Sequence, residues 1–314
     1  MTVSATPNGV KRDIGLALSL SGAALDQGLE HWLSPVISGS FDSVWSLENP
    51  LSDQAEPLVW LAAAAMLAPE ATVGTAALIA PTRHPILLAR QLASLDRMTG
   101  GRLNVGLTIG RRQTDYELAG TDYTKRGRIL DETLKTLRAV WLDAPLDVTN
   151  PFWELQSTAS IGIKPASRSG PPLLVGGHAD VALRRAVTLG DGYLAGATSG
   201  PAHALATHAR LLSLLDEHER EPATFRFVTN LFVVVDTSQA AAIATANDIF
   251  HGRHGGPPPY DPALVVAGGP AHQIAETAGE LLSAGYSGVN LVPVAMTIDE
   301  VNKVAEVADL VRRS

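Results

Sequence analysis

Eight short runs of β-branched and aliphatic residues recur along the chain, with helix-like stretches between most of them. The runs lie at residues 14–20, 41–47, 71–79, 102–109, 172–175, 192–195, 225–235 and 288–294. In the stretches between them, apolar residues repeat at spacings of three and four, as in Leu130, Leu134 and Leu137, which places them on one helical face. Because the strand runs are apolar on both sides, they suit parallel strands covered by helices. The pattern predicts an α/β fold, a closed (β/α)8 TIM barrel, with a doubly wound open sheet as the alternative.

The composition fits one large folded unit and excludes several classes of function. The chain has 314 residues, of which 46% are hydrophobic, so we expect residues 1–314 to form a single barrel domain. A formal net charge of −8 without a basic run argues against a nucleic-acid or membrane partner. The chain has no cysteine, and its nine histidines lack ligand spacing, so we expect no metal site. We expect a cytoplasmic protein, although residues 11–24 faintly resemble a secretory signal.

Two segments fall outside the repeating pattern and predict insertions after strands four and seven. Residues 143–171 contain "FWEL" and predict a short surface hairpin. Residues 236–268 contain "HGRHGGPPPYDP", which we interpret as too rich in Gly and Pro for regular structure. Because the segment after a barrel strand lies on the catalytic face, this second insertion is either a lid or a disordered connector.

Two motifs at predicted strand ends are candidates for a binding site. In "TVGTAALIAPTRHP", Ala76 and Ala77 leave space within the third strand, although a narrow core explains them equally well. In "LLVGGHADVALRRA", Gly176 and Gly177 permit a tight turn before a helix that begins near Ala179. The free N–H groups at a helix start bind phosphate, but the turn alone could also demand glycine.

A third motif brings positive charge to the catalytic face. In "GLTIGRRQTDYE", the fourth strand is followed by Gly110, Arg111 and Arg112. Paired arginines on an acidic protein could neutralise a phosphate or a carboxylate. The alternative is a surface salt bridge with Asp115 or Glu117.

The order and spacing of these motifs resemble the luciferase-like monooxygenase family. The resemblance rests on "RHPILLARQLASLDRMTGGRLNVGLTIGRRQTDYELAGTDYTKRGRILDETLKTLRAVW" at residues 83–141, on "PPLLVGGHADVALRRAVTLGDGYL" at 171–194, and on "LLSAGYSGVNLVP" near the end. It covers most of the chain and implies a barrel enzyme that binds a flavin or deazaflavin at the C-terminal mouth of the barrel.

The family resemblance implies which residues bind the cofactor. In the family, a non-prolyl cis peptide ends the third strand in a bulge against the isoalloxazine ring, and the cofactor phosphate lies at the fifth strand-to-helix turn. Small side chains would let the backbone approach the flat ring. Some flavin-binding relatives have an arginine where this chain has Ile109, so Arg111 is expected to replace it if any side chain does. The implied cofactor-binding residues are Ala76, Ala77, Gly110, Arg111, Gly176, Gly177, His178 and Ala179.

The implied catalytic residues are Glu48, Asn49 and His178. The family often has a histidine where this chain has Asn49, and several deazaflavin enzymes have Asp-His in place of Glu48-Asn49. Asparagine can donate a hydrogen bond but cannot carry a proton. Glu48, His178 and His84 are the titratable groups left near the site, and we interpret His84, which precedes Pro85 at a helix start, as structural.

The resemblance implies three hypotheses for function. The first is a monooxygenase that uses reduced FMN, supplied by a flavin reductase, and oxygen on a small organic substrate. The second is an oxidoreductase that transfers hydride with coenzyme F420. The third is a catalytically silent flavin-binding homologue, suggested by Asn49 and Ile109. The resemblance also implies a homodimer packed through helices two and three, where "LVWLAAAAMLA" is apolar nearly all round. The substrate cannot be predicted.

Overall fold

The structure is a computed structural model that describes residues 12–142, 144, 150–153 and 162–314. Its strands pair in parallel within a single sheet. Their bounds are β1 Asp13–Leu18, β2 Ser43–Ser46, β3 Thr72–Ile79, β4 Leu103–Thr108, β5 Leu173–Gly176, β6 Gly192–Ala195, β7 Arg226–Val235, β8 Val266–Gly269 and β9 Gly288–Pro293.

Eight of these strands close into a barrel. Each strand from β1 to β5 pairs with the next in sequence, β6 pairs with β7, β7 pairs with β9, and β9 returns to β1. The predicted (β/α)8 barrel is therefore confirmed, and the alternative of an open sheet is wrong. The C-terminal ends of the strands meet at one face, which is where active sites of such barrels lie.

Helices surround the barrel. Their bounds are α1 Gly22–Asp26, α2 Leu29–Ile37, α3 Pro57–Leu67, α4 Pro85–Met98, α5 Gln113–Ala119, α6 Arg126–Trp141, α7 Asp180–Leu189, α8 Gly200–Glu217, α9 Gln239–His254, α10 Pro262–Val265, α11 Ala271–Ser283 and α12 Ile298–Arg313. In α4, Leu88 and Leu92 are fully buried. The side chain of His84 caps this helix by accepting from the N–H of Ile86, which agrees with the structural role that we expected for it.

Trp45 fills part of the barrel interior beneath the mouth. It belongs to a small apolar cluster inside the ring, which also includes Ala76, Leu194 and Val228. Trp45 pairs in register with Gly74 on β3, and a Cβ at position 74 would lie 2.2 Å from the indole ring. The large side chain on β2 thus requires glycine on its neighbour.

The segment 236–268 is largely regular, and the prediction that it is too rich in Gly and Pro for regular structure is wrong. Ser238 caps α9, which begins with the alanine-rich sequence "QAAAIATA", and alanine is the best helix former. Glycine and proline concentrate in "GGPPP", at residues 255–259 between α9 and α10. The unpredicted strand β8 pairs with the end of β7 outside the closed ring. The lid hypothesis for this segment stays a prediction.

The hairpin predicted around "FWEL" lies largely outside the described residues, since 154–161 are among those that the structure leaves out. Phe152 and Trp153 are described, and their ring centroids lie 5.9 Å apart. The positions of both predicted insertions therefore remain predictions.

Helix α3 buries one side and exposes apolar residues on the other. Trp60 and Leu61 pack into the core, whereas Val59 is 71% exposed and Met66 is 54% exposed. An apolar exposed face is what the predicted homodimer would cover, and that dimer stays a prediction. In the ranges that the structure describes, no helix combines the length and the apolar composition needed to cross a membrane.

Candidate active site

The third strand carries a bulge at the position that the resemblance indicates. The peptide bond between Ala76 and Ala77 is cis, and the pairing of β3 with β4 shifts register between Thr75 and Leu78. The predicted geometry at these two alanines is therefore confirmed, whereas their contact with a cofactor stays a prediction. Thr75 ties the strand to β4 by donating from Oγ1 to the carbonyl of Gly106 at 2.9 Å.

Two asparagines inside the barrel hold the carbonyl of the bulge. Asn230 on β7 donates from Nδ2 to the carbonyl oxygen of Ala76 at 3.3 Å. Asn290 on β9 donates in turn to Oδ1 of Asn230 at 3.0 Å, and both asparagines are buried. Sequence reasoning missed this pair, although an amide inside the apolar runs "FVTNLFVVV" and "GVNLVP" is the signal that could have found it.

Glu48 lies at the barrel mouth in the loop after β2, where Arg83 binds its carboxylate. Arg83 donates from both terminal nitrogens, one to each oxygen of Glu48, and the N–H of Ile79 donates to Oε2 at 2.5 Å. Burial alone would lower the pKa of the Arg83 guanidinium, but the charges and hydrogen bonds of Glu48 and then of Glu56 outweigh burial and raise that pKa. The predicted catalytic carboxylate is thus fully engaged in joining the loops after β2 and β3.

Asn49 is joined to the segment after β4. Its Oδ1 accepts a hydrogen bond from Arg112, and Nε of Arg112 lies 3.4 Å from Oδ2 of Asp115. For Arg112, the alternative of a salt bridge with Asp115 is therefore the one that the structure adopts. Arg111 next to it is exposed.

Two tyrosines hold the turn that presents Arg111. Gly110 has a φ of +61°, and a Cβ there would lie 3.0 Å from the side chain of Ile79. Tyr116 donates to the carbonyl of Ile109, and Tyr123 donates to the carbonyl of Arg111 at 3.0 Å. The turn around the predicted residues is thereby fixed from both sides, by tyrosines that sequence reasoning missed.

The turn between β5 and α7 has the geometry that the glycines predict. Gly177 has a φ of +143°, and a Cβ at this position would lie 2.6 Å from Cβ of Ala182, so this turn requires glycine. Tyr193 on β6 donates to the carbonyl of Gly177 at 2.8 Å. Helix α7 begins at Asp180, and no side chain caps it at Ala179. Within the described part of the chain, the start of α7 therefore has no N-cap side chain at Ala179 that would compete with an anion for its first N–H groups.

His178 lies in this turn, among polar groups from neighbouring loops. Its Nδ1 lies 3.2 Å from Oγ of Ser199, and its ring centroid is 5.7 Å from that of His203. Burial, then His203 and Arg111, lower the pKa of the His178 imidazole. Burial raises the pKa of Tyr260, and Arg111 opposes part of that rise. Arg111 thus acts electrostatically on residues from two other loops of the mouth.

A sequence model for luciferase-like monooxygenases matches residues 38–306. The chain belongs to the luciferase-like monooxygenase family. The match extends across most of the barrel, from the end of α2 into α12. The family expected from the sequence motifs is therefore confirmed.

Several known proteins match parts of the chain. An uncharacterized protein of Mycobacterium tuberculosis is 36% identical over 116 residues, which are 37% of this chain and 39% of that protein. The oxygenase component of a flavin-dependent trigonelline monooxygenase from Acinetobacter baylyi is 27% identical over 44% of this chain and 39% of its own length. A putative coenzyme F420-dependent oxidoreductase of M. tuberculosis is 25% identical over 58% of this chain and 54% of its own length. The matches thus span between 39% and 54% of these relatives.

A solved structure shares the fold over nearly the whole chain. It is an F420-dependent secondary alcohol dehydrogenase in complex with an F420-acetone adduct, with a TM-score of 0.79 and 19% sequence identity. The superposition covers 96% of this chain and 99% of that one. At this identity the likeness concerns the fold of the luciferase-like barrel.

Proposed function

We propose that this protein is a flavin-dependent monooxygenase that uses reduced FMN and oxygen on a small organic substrate. The observation that carries the proposal is the joint presence, at one barrel mouth, of the β3 bulge with its small side chains and of the glycine turn before α7, where Ala179 provides no side-chain cap. A flavin needs both a flat surface for its ring and donors for its phosphate. The trigonelline monooxygenase relative favours flavin as the cofactor.

The residues of the mouth fit a phosphate-bearing cofactor. The N–H groups at the start of α7 and the close turn at Gly177 would receive the phosphate, with Arg111 and His178 beside them. Ala76 and Ala77 would lie along the ring, and Asn230 would keep the carbonyl of Ala76 in place. When bound here, reduced flavin would supply the electrons that activate oxygen.

Proton transfer at this site falls to His178. Asn49 can only donate or accept hydrogen bonds, and its Oδ1 is occupied by Arg112. Glu48 is bound on both oxygens. Because burial, then His203 and Arg111, lower the pKa of His178, the neutral imidazole is favoured, and that form can accept a proton.

A second candidate function is hydride transfer with coenzyme F420. The relative named as a putative coenzyme F420-dependent oxidoreductase favours it. In that case the same phosphate and ring sites would serve the deazaflavin, and oxygen would take no part. A silent flavin-binding homologue is the third hypothesis, because Asn49 and Ile109 replace the histidine and arginine of other family members.

Titration of the purified protein with FMN and with coenzyme F420, followed by fluorescence, tests the proposal. We expect tight binding of FMN, and turnover when a flavin reductase supplies reduced FMN in the presence of oxygen and a panel of aldehydes, ketones and enones. Tight binding of coenzyme F420 with hydride transfer would establish the second function instead. Binding without turnover would indicate the silent homologue, and tight binding of neither cofactor would refute all three.

A further inference from the structure

Four apolar side chains form a partly exposed floor at the barrel mouth. They pack against the apolar cluster inside the ring and are Leu47, Ala77, Phe232 and Met296. Leu47 and Met296 follow β2 and β9, whereas Ala77 and Phe232 lie in the C-terminal halves of β3 and β7. The floor is therefore a surface on which the apolar part of a ligand can lie.

Helix α9 adds aromatic rings and a cation on the β7 and β9 side of this floor. Phe250 contacts both Phe232 and Tyr260, with ring centroids 5.3 Å apart in each pair. Arg253, in the last turn of α9, has its Cζ 6.0 Å from the centroid of the Phe250 ring. Its Nη2 donates to the carbonyl of Val294, which directly follows β9. The guanidinium is thus held at the mouth, next to the floor.

Arg253 differs in its partners from two other arginines of the mouth. Arg83 is bound by Glu48, and Arg112 is paired with Asp115. Arg253 forms no ion pair with any carboxylate that the structure describes, and a backbone carbonyl takes up one of its five N–H donors. The residue is exposed, so a ligand can reach the remaining donors.

This part of the mouth carries positive charge without a compensating carboxylate. Burial lowers the pKa of Arg253, and Tyr260 opposes part of that fall. Arg111 in turn acts on the pKa of Tyr260 and on that of His178. Within the described ranges, no carboxylate is among the groups that shift these three pKa values. A partly desolvated cation without a counterion is costly, and a bound anion would remove that cost.

We propose that the substrate of this protein carries a carboxylate, which Arg253 binds while the apolar part of the substrate lies on the floor beside Phe232. The planar guanidinium can donate two parallel hydrogen bonds to a carboxylate. The proposal rests on the proposed function, because it takes the bound molecule to be the substrate, and it adds the chemical class. The predicted phosphate site belongs to the end of a different strand, β5, so the two anionic groups would occupy different sites.

Three probes of similar size test binding to the purified full-length protein: benzoate, benzamide and benzylammonium. The protein is saturated with FMN, so that the predicted phosphate site is occupied, and the titration is repeated without FMN. Calorimetry gives the affinity, and NMR of the backbone amides of residues 250–261 gives the location. We expect millimolar binding of benzoate, at least about tenfold weaker binding of benzamide and no binding of benzylammonium, because only the carboxylate accepts charge-assisted hydrogen bonds.

Two substitutions of Arg253 test its role. Arg253→Gln should weaken benzoate binding at least about tenfold and leave benzamide binding and FMN affinity unchanged. Arg253→Lys retains the charge but not the planar fork, and it should bind benzoate with intermediate affinity. The matched control is Arg313→Gln, which makes the same charge change at the exposed end of α12 and should bind all three probes as wild type does.

Turnover tests the assignment of the carboxylate to the substrate. Succinic semialdehyde and butanal are matched aldehydes that differ by a carboxylate in place of a methyl group. With reduced FMN and oxygen, the kcat/KM for succinic semialdehyde should exceed that for butanal at least about tenfold in wild type, and the ratio should fall toward one in Arg253→Gln.

Circular dichroism establishes that each variant is folded. Equal binding of benzoate and benzamide, wild-type benzoate binding in Arg253→Gln, amide shifts confined to residues 177–183, or preferred turnover of butanal would overturn the proposal. A loss of FMN or coenzyme F420 affinity in Arg253→Gln would also overturn it, because Arg253 would then serve the cofactor. Absence of turnover with every compound would instead count against the proposed function, and benzoate binding that depends on Arg253 would still support the carboxylate site.

Discussion

The two sides of the barrel mouth use their polar groups in opposite ways. On the side of β2 to β4, Glu48 is bound by Arg83, Asn49 by Arg112, and the turn before Arg111 by a tyrosine. On the side of β5 and β6, the N-cap residue of α7, Ala179, makes no side-chain hydrogen bond to the helix, and His178 lies in the adjoining turn near Ser199. Polar side chains that hydrogen-bond to one another hold loops in place. Backbone N–H groups at an uncapped helix start are instead suited to bind an anion. We therefore expect the polar groups on the side of β2 to β4 to hold loops in place, and those on the side of β5 and β6 to bind the anion.

The largest effect is expected from closing the predicted anion site at the turn between β5 and α7. Gly177→Val places a branched side chain against Ala182 and forces a positive φ on it. FMN affinity, measured by fluorescence titration, should fall by about one to three orders of magnitude, because one or two charge-assisted hydrogen bonds are lost.

The matched control is Gly39→Val, which also has a positive φ but whose Cβ would meet no atom within 4 Å. It should lose some stability while it retains FMN affinity. If a folded Gly177→Val binds FMN and coenzyme F420 as wild type does, the phosphate lies elsewhere. The side of β5 and β6 is then not the anion-binding side of the mouth.

A large loss of stability is expected from breaking the positioning side. Arg83→Ala leaves the carboxylate of Glu48, which is 4% exposed, without its cation. Removal of one partner from a buried pair should lower the free energy of unfolding by about 3 kcal/mol in urea titrations. Arg184→Ala on the exposed network of α7 and α8 should change it little. Equal effects of the two substitutions would contradict the structural role of the Glu48–Arg83 pair.

A smaller loss is expected inside the barrel. Asn230→Ala leaves the carbonyl of Ala76 and the amide of Asn290 without this shared partner, and should lower the free energy of unfolding by about 2 kcal/mol. Asn247→Ala on the exposed side of α9 serves as the control and should have little effect. A variant within about 0.5 kcal/mol of wild type would show that the asparagines do not support the bulge.

The two neighbouring arginines sharpen the comparison further. Arg111→Ala should weaken FMN binding by less than about tenfold, because solvent screens an exposed guanidinium. Arg112→Ala removes a group that is already paired with Asn49 and Asp115, and it should leave FMN affinity unchanged. The same fluorescence titration measures both. A larger loss of FMN affinity in Arg112→Ala than in Arg111→Ala would indicate that Arg112, and not Arg111, is the arginine that supports cofactor binding.

The smallest effect concerns the titration of His178. Its lowered pKa reflects burial first, and then the positive charges of His203 and Arg111, which disfavour the imidazolium. Removal of either charge should therefore raise the pKa of His178 toward the ordinary histidine value. NMR titration of wild type, Arg111→Ala and His203→Gln measures this change. If the pKa of His178 falls or stays constant in both variants, the charges of Arg111 and His203 do not lower it.

Several hydrogen bonds of the site could not be predicted from the sequence because their partners are distant along the chain. Asn230 and the carbonyl of Ala76 are 154 residues apart, and Tyr193 reaches Gly177 from the next strand. Helix α9 was missed for a different reason. The glycines and prolines at residues 255–259 led us to predict irregular structure for all of 236–268. The alanine-rich stretch before them, which favours a helix, was given too little weight.

The sequence by itself determined the eight barrel strands, because a strand covered on both sides must be apolar along its length and that requirement is local. It also determined the glycine turn at Gly177, and through the family resemblance the bulge at Ala76 and Ala77. Only the tertiary structure decided that Glu48 is bound by Arg83 and that Arg112 pairs with Asn49 and Asp115. Those outcomes depend on which side chains meet when loops from different strands converge at the mouth, and no periodicity along the chain encodes that.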